Sequence, residues 1–218
     1  MINITDENVT EYINSVMQKN SPLMRELEIE AKAEHIPIIH REAGRFLGVL
    51  LSIQRPKKIL EIGTAIGYSA MLMHEACKKN VKITTIERDP QMVSRARINL
   101  ERAGIAEDVE IIEGDAAELI DALTDCYDFV FMDAAKGQYM RFFDSVIKKV
   151  HDGSVILTDN VLFMGKVAMD GLPPRKHRTI VVNLREYLEM LCSDKRLDTS
   201  ILPLGDGMAL TRVERAEA

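Results

Sequence analysis

Lys58-Ile59-Leu60-Glu61-Ile62-Gly63-Thr64-Ala65-Ile66-Gly67-Tyr68-Ser69 runs a short apolar strand into a glycine turn that leads straight to a helix start. Strand, turn and helix in that order open a βαβ unit. The pattern repeats downstream. Lys82-Ile83-Thr84-Thr85-Ile86, Val109-Glu110-Ile111-Ile112, Phe129-Val130-Phe131-Met132 and Ser154-Val155-Ile156-Leu157-Thr158 are short β-branched or apolar runs separated by helix-length segments. Such alternation predicts an α/β fold with a parallel, doubly wound sheet. Asp89-Pro90 caps a helix that ends near Gly104, and Asp152-Gly153 makes the turn into the fifth strand. Thr199-Ser200-Ile201-Leu202 and Met208-Ala209-Leu210-Thr211-Arg212-Val213 add two final strands around the turn Pro203-Leu204-Gly205-Asp206-Gly207.

Upstream of the first strand the chain reads as helix. Ser21-Pro22 is an N-cap followed by proline at the first helical position, opening a charged helix that fades near Ala33. Another helix is expected from about Ile39 to Ser52, with Phe46, Leu47, Leu50 and Leu51 on one apolar face and Arg55-Pro56 ending it. The expectation is a single domain over 1–218, with a helical extension over 1–55 and a Rossmann-like core over 56–218.

The 218 residues, 46% of them hydrophobic, can bury one sizeable core. No uncharged apolar run approaches the ~18 residues of a membrane span, and the first residues lack a secretory profile. A cytoplasmic location and no membrane partner are expected. Cys77, Cys126 and Cys192 are odd in number and widely spaced, so they read as reduced packing residues. A net charge of −6 argues against a basic coat for nonspecific nucleic-acid binding but leaves a local basic patch open. With no Trp and 5% aromatics, an extended base-stacking platform is not expected.

In a doubly wound sheet, ligands sit beyond the carboxyl ends of the strands. The unusual residues cluster at those ends. The turn from Gly63 to Gly67 lets a ligand approach the backbone at a helix N-terminus. Glu87, 24 positions after Gly63, ends the second strand, where a carboxylate can accept from both ribose hydroxyls. Gly114-Asp115-Ala116 ends the third and suits an adenine edge. The set describes a nucleoside site, although the turn alone could serve only to pack helix on strand. It has two glycines rather than the three of G-x-G-x-x-G, which favours S-adenosylmethionine (SAM), with no phosphate, over NAD.

Asp133-Ala134-Ala135-Lys136 and Thr158-Asp159-Asn160 close the fourth and fifth strands. In the common doubly wound order those strands are neighbours, about 4.8 Å apart, so Asp133, Asp159 and Asn160 can converge on one ion. Three oxygen ligands suit Mg²⁺, which keeps further positions for water or substrate oxygens. The alternative is that Asp159-Asn160 forms a turn or cap and that Asp133 merely solubilises a strand end.

Residues from about Pro37 to Val213 resemble the cation-dependent O-methyltransferases, the group that includes catechol and caffeoyl-CoA O-methyltransferases. The segments Glu61 to Ser69, Asp133 to Lys136, Asp159-Asn160 and Pro203 to Gly207 match the family's motifs in order and spacing. The resemblance implies a class I SAM-dependent methyltransferase fold with a mostly parallel seven-stranded sheet, and commonly a homodimer. It implies Asp133, Asp159 and Asn160 as metal ligands and Lys136 as the catalytic lysine. It also implies a SAM site of Ile38, Glu61, Gly63, Tyr68, Ser69, Glu87, Asp115, Ala116 and Asp133. The segments Pro56 to Ala70, Asp133 to Tyr139 and Thr158 to Phe163 are narrowly similar to bacterial methyltransferases of tRNA 5-hydroxyuridine. That similarity implies an anticodon loop as substrate and 5-methoxyuridine at the wobble position as product. The vicinal oxygens of 5-hydroxyuridine could chelate one cation as a catechol does, and an unpaired base can be splayed into a pocket. By this reading the cation lowers the pKa of the hydroxyl and Lys136 removes or holds its proton.

Arg175, Lys176 and Arg178 form a basic stretch in an acidic protein and suit phosphate contacts, which Arg41 and Arg45 could extend. A solvated loop and surface ion pairs are the plainer alternative. A small-molecule O-methyltransferase acting on catechol-like or caffeoyl-CoA-like oxygens would use the same SAM and metal residues, and a noncatalytic SAM- or RNA-binding protein is the competing class.

Overall fold

The computed structural model describes residues 4–171 and 173–214. It has the expected Rossmann-like α/β class, with seven mostly parallel strands. The chain divides into two compact units, Glu7–Asp115 and Ala116–Ala218 with Met1–Asp6.

The first unit begins with α1 (Glu7–Val16), α2 (Pro22–Glu34) and α3 (Arg41–Gln54). Ser21 caps α2 by accepting from the Met24 amide, and His35 ends it in the left-handed conformation. Met24, Leu27 and Ala31 form its buried stripe at helical spacing. The helix expected from Ile39 starts later, at Arg41, because His40 is extended (φ −57°, ψ 144°). It also runs past Ser52 to Gln54, where Arg55 turns left-handed before Pro56. Leu47 and Leu51 are fully buried as expected, but Ala43 and Gly44 complete the buried face while Phe46 and Leu50 are only half-buried.

β1 (Lys58–Ile62), α4 (Tyr68–Ala76), β2 (Lys82–Glu87), α5 (Pro90–Ala103) and β3 (Val109–Glu113) follow. The strands are parallel in the order β3-β2-β1, with Glu61 opposite Thr85 and Glu87 opposite Glu113. Asp89 caps α5 through the Gln91 amide, and Gly104 ends it. Their sequence signature placed both boundaries.

The second unit holds α6 (Ala116–Leu119), β4 (Tyr127–Met132), α7 (Tyr139–Val146), β5 (Val150–Thr158), α8 (Arg178–Ser193), β6 (Leu197–Leu202) and β7 (Met208–Val213). The order is β4-β5-β7-β6, with β4 and β5 parallel and β7 antiparallel to both its neighbours. Asp152-Gly153 does not precede the fifth strand but lies inside it. Tyr127 pairs with Val150 and Phe129 with Val155, so β5 bulges there and carries Gly153 at φ 79°. The Ser154 hydroxyl stabilises the bulge, accepting from the His151 amide and donating to the Tyr127 carbonyl. Phe129, Phe131, Tyr139 and Tyr187 fill this unit's core, with the two tyrosine rings 5.7 Å apart. Among the described residues no helix is long and apolar enough to cross a membrane.

Candidate active site

In the first unit the chain leaves β1 at Ile62 and turns through Gly63 (φ 100°) and Gly67 (φ 82°), conformations that a side chain would strain. The Gly63 amide donates to the Ile86 carbonyl, and α4 starts at Tyr68. Beneath the turn, Thr64 and Thr85 hydroxyls lie 2.6 Å apart, and Thr85 donates to the fully buried Glu61 at 2.6 Å. Glu87 reaches back to the turn: one carboxylate oxygen accepts from the Ala65 amide, the other from the Arg88 and Asp89 amides, each at 2.9 Å. A carboxylate oxygen has more than one acceptor site, so this anchoring leaves Glu87 capacity for a hydroxyl donor.

Ser69 is buried at the first turn of α4, and Ile38 is half-buried in the loop before α3. The Tyr68 hydroxyl engages α2 and the linker before it. It donates to Glu28 of α2 at 2.7 Å and accepts from Asn20 at 3.0 Å. Burial and the Glu28 carboxylate raise its pKa well above the ordinary phenol value. Asp115, half-buried, closes the first unit, and the buried Ala116 opens α6 of the second.

The second unit brings the acidic strand ends together. The Asp159 amide donates to the Met132 carbonyl at 2.9 Å, which sets Asp159 beside the end of β4. Asn160, left-handed at φ 61°, donates from its side-chain amide to Asp133 at 3.2 Å. Its other end, Oδ1, accepts from Lys136 Nζ at 2.7 Å. Asp159 is fully buried; its Oδ1 accepts from the Asn160 amide, and its Oδ2 has no hydrogen-bond partner among the described residues. Burial, and then the charge of Asp133, push the Asp159 carboxyl up to about 8. A buried, unbalanced carboxylate is costly unless a cation or a proton joins it. The buried Tyr139 hydroxyl donates to the Asp159 carbonyl at 2.9 Å and fixes the backbone from below. Lys136 sits on a single 3₁₀ turn, held where Asn183 of α8 donates to the Gly137 carbonyl.

No group of three His, Cys, Asp or Glu side chains forms a metal cluster among the described residues. The candidate set is two carboxylates and one amide, all oxygen donors of the kind a hard cation prefers.

Arg175 and Lys176 lie on a 3₁₀ turn, Arg178 opens α8, and all three are exposed. The turn connects to the loop after Asn160 through His177, whose ring meets Phe163 edge-on at 5.3 Å. Lys166 and Lys136 ammonium groups lie 4.8 and 5.5 Å from the centre of that same ring. Arg41 and Arg45 open and follow the first turn of α3 in the first unit. Both donate to Gln18 in the linker before α2.

Asp206 stands in the motif Pro203 to Gly207 with no individual role legible from the sequence, yet its carboxylate accepts from Lys136 Nζ at 3.2 Å. The available signal was an acid between two glycines in a tight turn, which shows constraint but not its partner.

The sequence pattern of the O-methyltransferase family matches residues 14–214. The chain belongs to that family. This O-methyltransferase is 33% identical over 180 residues to catechol O-methyltransferase of Niastella koreensis, covering 78% of this chain and 80% of that one. It is 29% identical over 220 residues to caffeoyl-CoA O-methyltransferase of Stellaria longipes, covering 96% and 91%. The O-methyltransferase from Bacillus cereus, solved in complex with SAH, is similar in structure with a TM-score of 0.84 at 26% identity, covering 95% of this chain and 97% of that one. A Staphylococcus aureus protein provisionally named as a caffeoyl-CoA O-methyltransferase has a TM-score of 0.88 at 32% identity, covering 95% and 100%.

Proposed function

We propose that this O-methyltransferase uses SAM to methylate one of two vicinal oxygens held on a divalent cation, Mg²⁺ by ligand type. The observation that carries the cation is Asp159 Oδ2, a buried carboxylate oxygen with no donor among the described residues, in a carboxyl pushed up to about 8 beside Asp133. Asp133, Asp159 and Asn160 would hold the ion. When bound, it would supply Lewis acidity that lowers the pKa of a coordinated hydroxyl.

SAM supplies the electrophilic methyl group. Glu87 would accept from its ribose, Gly63 and Ser69 would flank its methionine part together with Ile38, and Asp115 and Ala116 would meet the adenine. Lys136, with Nζ 2.7 Å from Asn160 Oδ1, stands among the proposed ligands and would take or hold the hydroxyl proton. Fixing such groups in advance lowers the barrier through orientation.

The names of the curated relatives support a small substrate with catechol-like or caffeoyl-CoA-like vicinal oxygens. A second reading, 5-hydroxyuridine at the wobble position of a tRNA anticodon loop, rests on a different observation. The exposed Arg175, Lys176 and Arg178 are coupled through His177 and Phe163 to the loop that carries Asn160, a placement suited to phosphate contacts. A homodimer is the proposed assembly, supported by the exposed apolar residues Val9, Tyr12 and Val16 of α1.

Methyl transfer from labelled SAM to catechol, caffeoyl-CoA and tRNA bearing 5-hydroxyuridine, each with and without EDTA, tests the proposal. EDTA-sensitive labelling of one acceptor supports the chemistry and selects its substrate. Labelling unaffected by EDTA, in EDTA-stripped enzyme, would remove the cation.

A further inference from the structure

The turn between β6 and β7 lies flush on the loop that follows Asn160. The Val161 amide donates to the Gly207 carbonyl at 2.9 Å and the Leu162 amide to the Asp206 carbonyl at 3.0 Å. Gly207 sits at φ +85°, and a Cβ there would come within 2.4 Å of Leu162 Cγ. No side chain fits between turn and loop. The loop needs such support, because Asn160, Phe163 and Met164 all have positive φ, a conformation that residues other than glycine hold only when their surroundings impose it.

Asp206 uses its side chain on top of these backbone bonds. One carboxylate oxygen accepts from the Met164 amide, and the other accepts from Lys136 Nζ at 3.2 Å. Lys136 is anchored far away in sequence, 70 residues from Asp206. Its flexible stem would let a lone ammonium sample many positions. With Asn160 Oδ1 on one side and Asp206 Oδ2 on the other, the ammonium is confined between two acceptors from different elements.

We propose that Asp206 is a positioning residue that confines the Lys136 ammonium at Asn160 while the same carboxylate pins the strained loop. The proposal rests on the reading of Lys136 as the group that handles the hydroxyl proton. Asp206 touches neither substrate nor cofactor in this account. It acts through Lys136, so its contribution to turnover should vanish when Lys136 is absent.

Asp206→Asn separates the two tasks, since the amide keeps an oxygen for the Met164 N–H and loses the negative charge facing Lys136. In purified full-length enzyme, Asp206→Asn is expected to lower kcat about 10- to 100-fold with KM for SAM changed less than about twofold, and Asp206→Glu to recover part of the loss. In a Lys136→Ala background, Asp206→Asn should change the residual rate less than about twofold. An equal fold-loss in both backgrounds would overturn the proposal. A second readout needs no turnover: reductive methylation of Lys136, followed by peptide mass spectrometry, should speed up severalfold in Asp206→Asn while Lys166 labels at its original rate. If Lys136→Ala turns over normally, the reading of Lys136 fails, and the labelling rate alone then decides whether Asp206 confines the amine. Unchanged Lys136 labelling in Asp206→Asn overturns the confinement itself.

Discussion

Asn160 donates from its side-chain amide to Asp133 at 3.2 Å and thereby joins the ends of β5 and β4. That bond places an amide and a carboxylate beside Asp159, whose Oδ2 has no donor among the described residues. Among the described hydrogen bonds, Lys136 is the cation that reaches this cluster, at Asn160 Oδ1.

The raised Asp159 carboxyl makes stability depend on pH. A carboxyl whose folded pKa is about 8, against an ordinary value of 3.8, holds a proton in the folded state that the unfolded chain releases. Its contribution is fully present below about pH 4 and is lost as pH rises through about 8. In EDTA, the melting temperature attributable to this site is therefore expected to fall between pH 5 and pH 8, and Asp159→Asn should flatten that dependence. Calorimetric scans of both proteins across this window check the sign. A wild-type curve parallel to that of the variant would contradict it.

Lys136→Ala removes the only amine bonded to Asn160 Oδ1 among the described hydrogen bonds. Loss of a positioned acid–base group typically costs about 10²- to 10⁴-fold in rate. The expected outcome is a kcat loss in that range with SAM affinity unchanged by titration calorimetry. A loss confined to KM for SAM would place Lys136 in cofactor binding instead.

Gly207→Ala tests the seat of the β6–β7 turn. The new methyl group would meet Leu162 Cγ at 2.4 Å in a backbone with φ +85°. Overpacking together with left-handed strain is expected to cost about 1–4 kcal/mol, read from urea unfolding midpoints. Gly153→Ala is the informative control, because nothing lies within 4 Å of its Cβ position and only the backbone strain remains. Equal losses at the two sites would show that the contact with Leu162 is unimportant.

Neutralising Arg175, Lys176 and Arg178 together separates the two substrate readings. All three are exposed, so the fold should tolerate the change. For a tRNA substrate, KM should rise at least about tenfold and the salt dependence of binding should weaken, as expected when phosphate contacts are lost. For catechol the rate should stay within about twofold of wild type. Unchanged tRNA kinetics at low and moderate salt would remove this run from RNA recognition.

The strand ends were legible in the sequence because each carries its own local signal. Gly63 and Gly67 mark the turn, and Asp133, Asp159 and Asn160 stand where hydrophobic strands stop. What was not legible depends on tertiary placement. Asp206 meets Lys136 only because β7 pairs antiparallel with β5, and no spacing rule connects residues 70 apart. Arg41 and Arg45 read on the sequence as phosphate contacts or as surface ion pairs, and the bonds both make to Gln18 in the linker before α2 depend on tertiary placement. Tyr68 reads as part of the glycine turn, whereas its hydroxyl is drawn to Glu28 of α2. Asp152-Gly153 has turn chemistry whether it precedes β5 or bulges within it, so the sequence alone does not separate the two.

The most direct measurement is a Mn²⁺ titration followed by electron paramagnetic resonance, with SAM present, on the wild-type enzyme and on Asp159→Ala. One bound Mn²⁺ per chain is expected in the wild type, displaced by excess Mg²⁺, with at least about a tenfold loss of affinity in the variant. Wild-type protein that leaves Mn²⁺ free in solution, or a variant that binds it equally well, would contradict the claim that Asp133, Asp159 and Asn160 hold a cation.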